Sequence, residues 1–273
     1  MRRLRESLPA LLALAIPTDC GIARMATSGA PSQYPLGNAV ALLTGFGAII
    51  FTTAKGGIRT MLWLAATLVA LMLVAALTGP SLKSVTGHDV SRWLSLGPIS
   101  LHSGMLCVPV LAVLAARTGK WGGAILGAAT VAALLQPDAA TGFAIAAAAT
   151  GLHHATRDWR VGLAGIFAFF ASLVMAMNGE LPPQPFVERV FVAAAGQHPL
   201  LALALTLSLM ANFVLIAAAD RIERPARFAI AGALFGFAMT SAISHYPAPL
   251  MGYGASAILG FALALAMTRE QTT

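Results

Sequence analysis

Charge is scarce in this chain: only 10% of its 273 residues are Asp, Glu, Lys or Arg, while 58% are hydrophobic. That balance excludes an ordinary soluble globular domain. Cysteine is scarcer still, and Cys20 and Cys107 both fall in apolar segments, so neither a disulfide framework nor a cysteine metal site is read from them. No two of the six histidines stand at the i, i+4 spacing of a helical zinc site, and none sits mid-span, which argues against a membrane b-type haem. No metal site and no cofactor are assigned. The net charge of +7 comes from basic residues set singly or in small groups, without a basic stripe or interleaved aromatics, so nucleic acid is not expected as a partner.

What the chain has in abundance is apolar runs of roughly 17 to 22 residues, enough for a helix to cross about 30 Å of hydrocarbon. Ten spans are expected, over residues 8–25, 36–53, 59–78, 103–117, 121–135, 139–155, 160–178, 199–219, 227–245 and 249–268. The amino terminus resembles a signal peptide, but Asp19 and Arg24 follow closely and a cleavage site is weak, so it is read as the first helix. If Met1 is cytoplasmic, Arg2, Arg3, Arg5, Lys55, Arg59, Arg117, Lys120, Arg157, Arg160, Arg221, Arg224, Arg227 and Arg269 lie inside, which is 13 of the 17 cations. This satisfies the positive-inside rule. The expected fold class is therefore all-α, a polytopic transmembrane helix bundle with both termini cytoplasmic, as one integral membrane domain over residues 1–273. An eight-span arrangement, with spans five and six re-entrant, gives the same loop sides.

Sorting the acids by side separates two groups. Glu6, Asp158, Asp220, Glu223 and Glu270 lie among the inner cations as solvated partners, whereas Asp19, Asp89, Asp138, Glu180 and Glu188 fall at or beyond the outer boundary. There they meet Arg24, Lys83, Arg92 and Arg189 and the histidines His88, His102, His198 and His245. Such a set suits an anionic headgroup, with Arg92 or Arg189 as the phosphate clamp, or else simply wets the loops. Gly87 to Gly104 is the longest polar interruption. Gln136-Pro137-Asp138 breaks a long apolar stretch, either to cap the next helix or to put Asp138 against a polar cavity. The outer loop after Asn178 is expected to carry a short amphipathic helix at the interface, with Phe186, Val187, Val190 and Phe191 on its apolar side. A Gly-Tyr-Gly turn around Tyr253 opens the last span.

Three of these segments, in this order, resemble the SEDS family of FtsW and RodA type. Arg92-Trp93-Leu94-Ser95-Leu96-Gly97-Pro98-Ile99-Ser100-Leu101-His102 is similar to the family's R-W-I-x-L-G-P-x-S-x-Q-P-S-E. Gln136-Pro137-Asp138-Ala139-Ala140-Thr141-Gly142 resembles Q-P-D-x-G-T-A, and Pro249-Leu250-Met251-Gly252-Tyr253-Gly254-Ala255-Ser256-Ala257 resembles P-F-x-S-Y-G-G-S-S. Val187 to Val192 loosely matches T-D-F-I-F-A, placing Glu188 on the family's essential aspartate. Departures are Met105 at the Q-P-S-E glutamate, His88-Asp89-Val90-Ser91 before the Arg-Trp pair, Gly196-Gln197 where paired acids stand, and a shorter outer loop.

The resemblance implies a glycosyltransferase that polymerises lipid II, or acts on another polyprenyl-pyrophosphate sugar, at the outer face of the bacterial cytoplasmic membrane. It implies Glu188 as the catalytic base and Arg92, Trp93, Asp138, Arg189 and Tyr253 as the substrate-binding set. Membrane lipids and a penicillin-binding transpeptidase are the implied partners. The departures leave two other readings open, a non-catalytic scaffold or lipid-binding subunit of an envelope complex, and a polyprenyl-lipid flippase or transporter.

Overall fold

A computed structural model describes residues 2–52, 56–97, 99–219 and 222–268. Met1, Lys55, Pro98, Asp220, Arg221, Arg269 and Glu270, all used above, lie outside them. The described residues form α1 (Arg2–Thr27), α2 (Gln33–Phe51), α3 (Ile58–Thr78), α4 (Ser103–Arg117), α5 (Gly122–Leu135), α6 (Ala139–Thr156), α7 (Trp159–Asn178), α8 (Val190–Gln197), α9 (Pro199–Ala217), α10 (Arg224–Ile243) and α11 (Ala255–Met267). All except α8 coincide with the ten expected spans. Six of them, α1, α2, α3, α7, α9 and α10, are long and apolar enough to cross a membrane, and the fold is that of a polytopic helical membrane protein.

Helix starts follow from local chemistry. The Asp138 side chain accepts the Thr141 amide at 3.3 Å, that of Asp158 accepts the Arg160 amide at 2.9 Å, and that of His198 accepts the Leu200 amide at 3.2 Å, with Pro199 at the first helical position. Hence α6, α7 and α9 begin where orphan amides find a side-chain acceptor. Helices α4, α5 and α11 are short, with 15, 14 and 13 residues, and α4 is buried along nearly its whole length whereas α5 keeps one face exposed through Val131, Leu134 and Leu135.

Helices α5 and α6 both pack on α7. A Cβ on Gly123 would stand 2.7 Å from the Arg160 carbonyl at the start of α7, while one on Gly142 would press on Ser172 and Met175 near its end. The tightest crossing is α6 on α10. Its backbones approach so closely that a Cβ at Gly232 would fall on the Ala147 carbonyl, and one at Gly151 on the Phe228 carbonyl.

The long polar interruption is not a plain loop. It folds as two small antiparallel hairpins, β1 (Leu82–Lys83) with β2 (Asp89–Val90), and β3 (Trp93–Leu96) with β4 (Ile99–His102). Gly87 and Gly97, at φ 85° and 61°, supply the left-handed turns. The outer helix α8 begins at Val190, later than expected, so Phe186 and Val187 belong to the turn before it.

Replacing Gly232 by valine should wedge α6 from α10 and lower stability by about 1–3 kcal/mol or more. A chemical denaturation series in detergent micelles measures this, and Gly127→Ala, where an added Cβ meets open space, serves as the matched control.

Candidate functional site

The three segments that carry the resemblance meet at one end of the bundle. Register places Trp93 opposite His102 in the β3–β4 hairpin, and their rings lie edge to face at 5.8 Å. The hairpin then runs directly into α4, whose first amides are capped by the His102 ring, its Nδ1 accepting from the Met105 amide at 3.3 Å. The His102 amide donates to Ser256 Oγ at 2.7 Å, and Ser103 Oγ donates to Gln136 Oε1 at 3.0 Å. One residue from each segment thus bonds to another.

At the centre of this junction are two fully buried charges. Arg92 and Asp138, 1% and 0% exposed, stand with Nη1 3.6 Å from Oδ1. A second Arg92 nitrogen donates to the Gly179 carbonyl at the end of α7, and the guanidinium lies over the rings of Trp93 and Tyr246 at 5.4 and 5.2 Å. Asp138 also receives the Thr141 hydroxyl and faces His102 Nε2 at 3.5 Å. An isolated charge would be prohibitive here; the pair, its hydrogen bonds and the helix start together make it tolerable.

Beside this junction opens a cavity of about 1080 Å3. Trp93, His102, Met105, Lys83, Glu188 and Tyr253 reach it from different elements, and one wall is the face of α2 carrying Leu36, Gly37, Val40 and Thr44. Helix α2 packs on α1 and α11, whereas α3 packs on α4 and α5. Leu36 and Val40 are themselves exposed, so the cavity wall continues into the lipid-facing surface.

Glu188 is held there chiefly by main chain. It bridges to Pro247, the Ala248 amide donates to the Val187 carbonyl at 3.0 Å, and the Tyr253 amide donates to the Phe186 carbonyl at 2.8 Å. Its carboxylate accepts the Gln184 amide at 2.6 Å. Burial pushes the Glu188 carboxyl above its ordinary value, opposed by that amide and by the field of Arg92. Phe186 and Arg189 on either side, and Leu250 across from them, have φ of 67°, 53° and 66°. Three non-glycine residues in the left-handed region around one carboxylate is the kind of stored strain that clusters at working sites. Asn38 clamps the facing turn, donating to the Gly252 carbonyl at 2.9 Å and accepting the Gly254 amide at 3.0 Å, and Tyr253 stacks on Tyr34 at 3.8 Å.

Of the residues singled out in the sequence, Glu188, Trp93 and Tyr253 line the cavity. Asp138 lies behind it, under His102. Arg92 does not reach the cavity because Asp138 and the Gly179 carbonyl take its guanidinium, and Arg189 is exposed outside it. Among the described residues the cation in the lining is Lys83, one of the four outer cations but not one of the two read as the phosphate clamp; it is exposed and pairs with Asp89 at 2.9 Å. Only the β1–β2 pairing brings it there. His102 was noted as an outer histidine but not placed against Asp138. Glu180, at the end of α7, accepts the Ser244 hydroxyl at 2.6 Å and ties α7 to the end of α10, which holds its carboxyl below the usual range. Among the described residues no group of three His, Cys, Asp or Glu side chains is placed to hold a metal ion.

Many apolar helices around a cavity with one buried carboxylate define a multi-pass membrane protein. No family model matches the chain, and no curated protein matches it. Solved structures do. The rod shape determining protein RodA of Thermus thermophilus, as an aspartate-to-alanine mutant, is similar at TM-score 0.64 and 17% identity over 94% of each chain. A second RodA structure from that organism is similar at TM-score 0.58 and 14% identity, over 94% of this chain and 93% of that one. A chain from a peptidoglycan synthase complex, described as coordinating polymerization and crosslinking, reaches TM-score 0.58 at 16% identity over 94% of both. The fold is that of RodA, held nearly end to end.

Replacing Asp138 by leucine should cost about 3–5 kcal/mol by leaving Arg92 charged, buried and unpaired. Combining it with Arg92→Met should recover a large part of that loss, as thermal unfolding in detergent would show.

Proposed function

We infer that this chain is a SEDS-type cell-wall glycosyltransferase acting on undecaprenyl-pyrophosphate-linked disaccharide at the outer face of the bacterial cytoplasmic membrane. The observation that carries the reading is Glu188, a carboxylate 8% exposed, without a cationic partner within ion-pair distance among the described residues, at the wall of a cavity of about 1080 Å3. The RodA-type fold supports it, and so does the wall along α2, which suits a substrate whose polyprenyl tail stays in lipid while its sugars enter the cavity.

Glycan extension needs a base at the acceptor hydroxyl. Glu188 takes that proton as the hydroxyl oxygen attacks the anomeric carbon of the donor sugar, and the bond from that carbon to the pyrophosphate breaks. The polyprenyl pyrophosphate leaves carrying its electron pair. Lys83 is the cation in the lining for the developing charge, exchanging Asp89 for phosphate oxygens. Trp93 and Tyr253 offer flat apolar faces for sugar rings, and the Arg92–Asp138 pair sets the position of His102 and the hairpin without touching substrate. The peptidoglycan synthase complex among the similar structures supports a penicillin-binding transpeptidase as the partner.

A second reading has its own observation. Met105 fills the place where the family pattern has a glutamate, and the lining cation is already paired, which suits a lipid-binding subunit without catalysis.

Glu188→Gln should lower polymerisation of purified lipid II at least ~10²-fold while leaving lipid II binding intact. The raised pKa puts the acidic limb of the wild-type pH profile above the ordinary glutamate value of 4.5, because the base must be ionised and protonates sooner on acidification. Lipid II binding without any product in the wild type, with and without a transpeptidase present, would favour the non-catalytic reading.

A further inference from the structure

Of the outer cations, Arg24 stands in the least favourable place for a charge. It lies in the last turn of α1, 2% exposed, and its Nε and Nη1 are buried without hydrogen-bond partners. Among the described residues no carboxylate stands within ion-pair distance of it. A guanidinium desolvated in this way destabilises the fold, and an apolar side chain of similar length would be easier to bury. What Arg24 does meet is the ring of Phe186, whose centroid is 5.5 Å from its guanidinium carbon. With no anion at hand the ring face is the remaining partner for the charge, and desolvation strengthens that attraction.

Phe186 stands two residues before Glu188. Its backbone is held at φ 67°, a region that a bulky side chain rarely enters, and its carbonyl accepts the Tyr253 amide at 2.8 Å. Its ring meets Tyr34 edge to face at 6.5 Å, and Tyr34 stacks on Tyr253 in the cavity lining. Arg24, Phe186, Tyr34 and Tyr253 thus connect the buried face of α1 to the cavity wall.

The same face of α1 also grips the turn opposite Glu188. Gly21, one turn before Arg24, lies so close to that turn that an added Cβ would stand 2.5 Å from the Met251 carbonyl. One turn after Arg24, Ser28 Oγ donates to Gln197 Oε1 at the end of α8 at 3.1 Å. Backbone contact therefore fixes α1 against the 247–253 turn, and Arg24 reaches from that fixed helix to the segment carrying Glu188. Removing its charge would leave the helix in place and release the ring, so that Phe186 is free to return to negative φ and carry Glu188 with it.

We propose that Arg24 is a positioning residue for Glu188, pinning the strained Phe186 by its ring so that the carboxylate two residues on is held at the cavity wall. The role rests on the reading of Glu188 as the base, and Arg24 itself does not line the cavity.

Arg24→Met in the purified full-length protein tests this, because it keeps the length of the side chain and removes the charge. The kcat for polymerisation of lipid II should fall by about 10²-fold, the scale of a misplacement of about 1 Å, with KM unchanged. The thermal melt should hold or rise, since a buried unpaired charge has gone. Phe186→Leu should give the same loss in kcat, Phe186→Tyr, which keeps the ring face, should retain most of the rate, and Arg24→Met combined with Phe186→Leu should be no worse than either alone. Amide hydrogen exchange reads the positioning without turnover: residues 184–188 and the 247–253 turn should exchange faster in Arg24→Met, while α6 exchanges as in the wild type. A wild-type kcat in Arg24→Met, or unaltered exchange at 184–188, would overturn the proposal. So would a lowered melt with faster exchange throughout the bundle, because Arg24 would then serve the whole fold. If the wild type binds lipid II and makes no product, Glu188 is not the base; faster exchange confined to the two segments then still supports the pinning, and unaltered exchange still overturns it.

Discussion

Burying Arg92 against Asp138 imposes an order on everything at the outer end of the bundle. Neither charge can lose water unless the other does, so the β3–β4 hairpin, the α5–α6 break and the end of α7 must arrive together. A hydrophobic contact in the same place would tolerate sliding and rotation. A guanidinium fixed by a carboxylate, a carbonyl and two aromatic faces tolerates little of either. The cavity has a defined wall because this corner has a defined geometry.

Glu188 is treated in the opposite way. It sits on a segment held to the 247–253 turn by amides and carbonyls, with strained residues before and after it, and its carboxylate meets an amide and, among the described residues, no cation within ion-pair distance. The charge that supports the architecture is neutralised in place, whereas the charge that faces the cavity is left available. That division of labour between two buried acids is what makes the reading of one as structural and the other as chemical a physical argument. Environment, not residue type, separates them.

Much of this was legible in the sequence, for physical reasons that differ by element. The spans were readable because hydrocarbon demands continuous apolar runs and the basic ends mark their sides, and α6 was readable as a new helix because a proline and a capping aspartate stand together. The β3–β4 hairpin left a fainter sign, two four-residue β-type runs around Gly97 and Pro98, which the surrounding apolar length obscured. Arg92 was read as a phosphate clamp because an outer arginine beside a lipid interface usually serves there. Its true direction depends on Tyr246 and Gly179, distant in the chain, and no local pattern announces them. Lys83 likewise enters the lining through a pairing of only two residues per strand.

The main-chain grip on Glu188 also bears on how such a protein can be recognised at all. Amides and carbonyls belong to every residue, so a loop fastened by them keeps its shape while its side chains change freely. Information about that part of the molecule is carried by the path of the backbone and hardly at all by the letters. A chain that no family model matches can in this way still share the fold of RodA over 94% of its length.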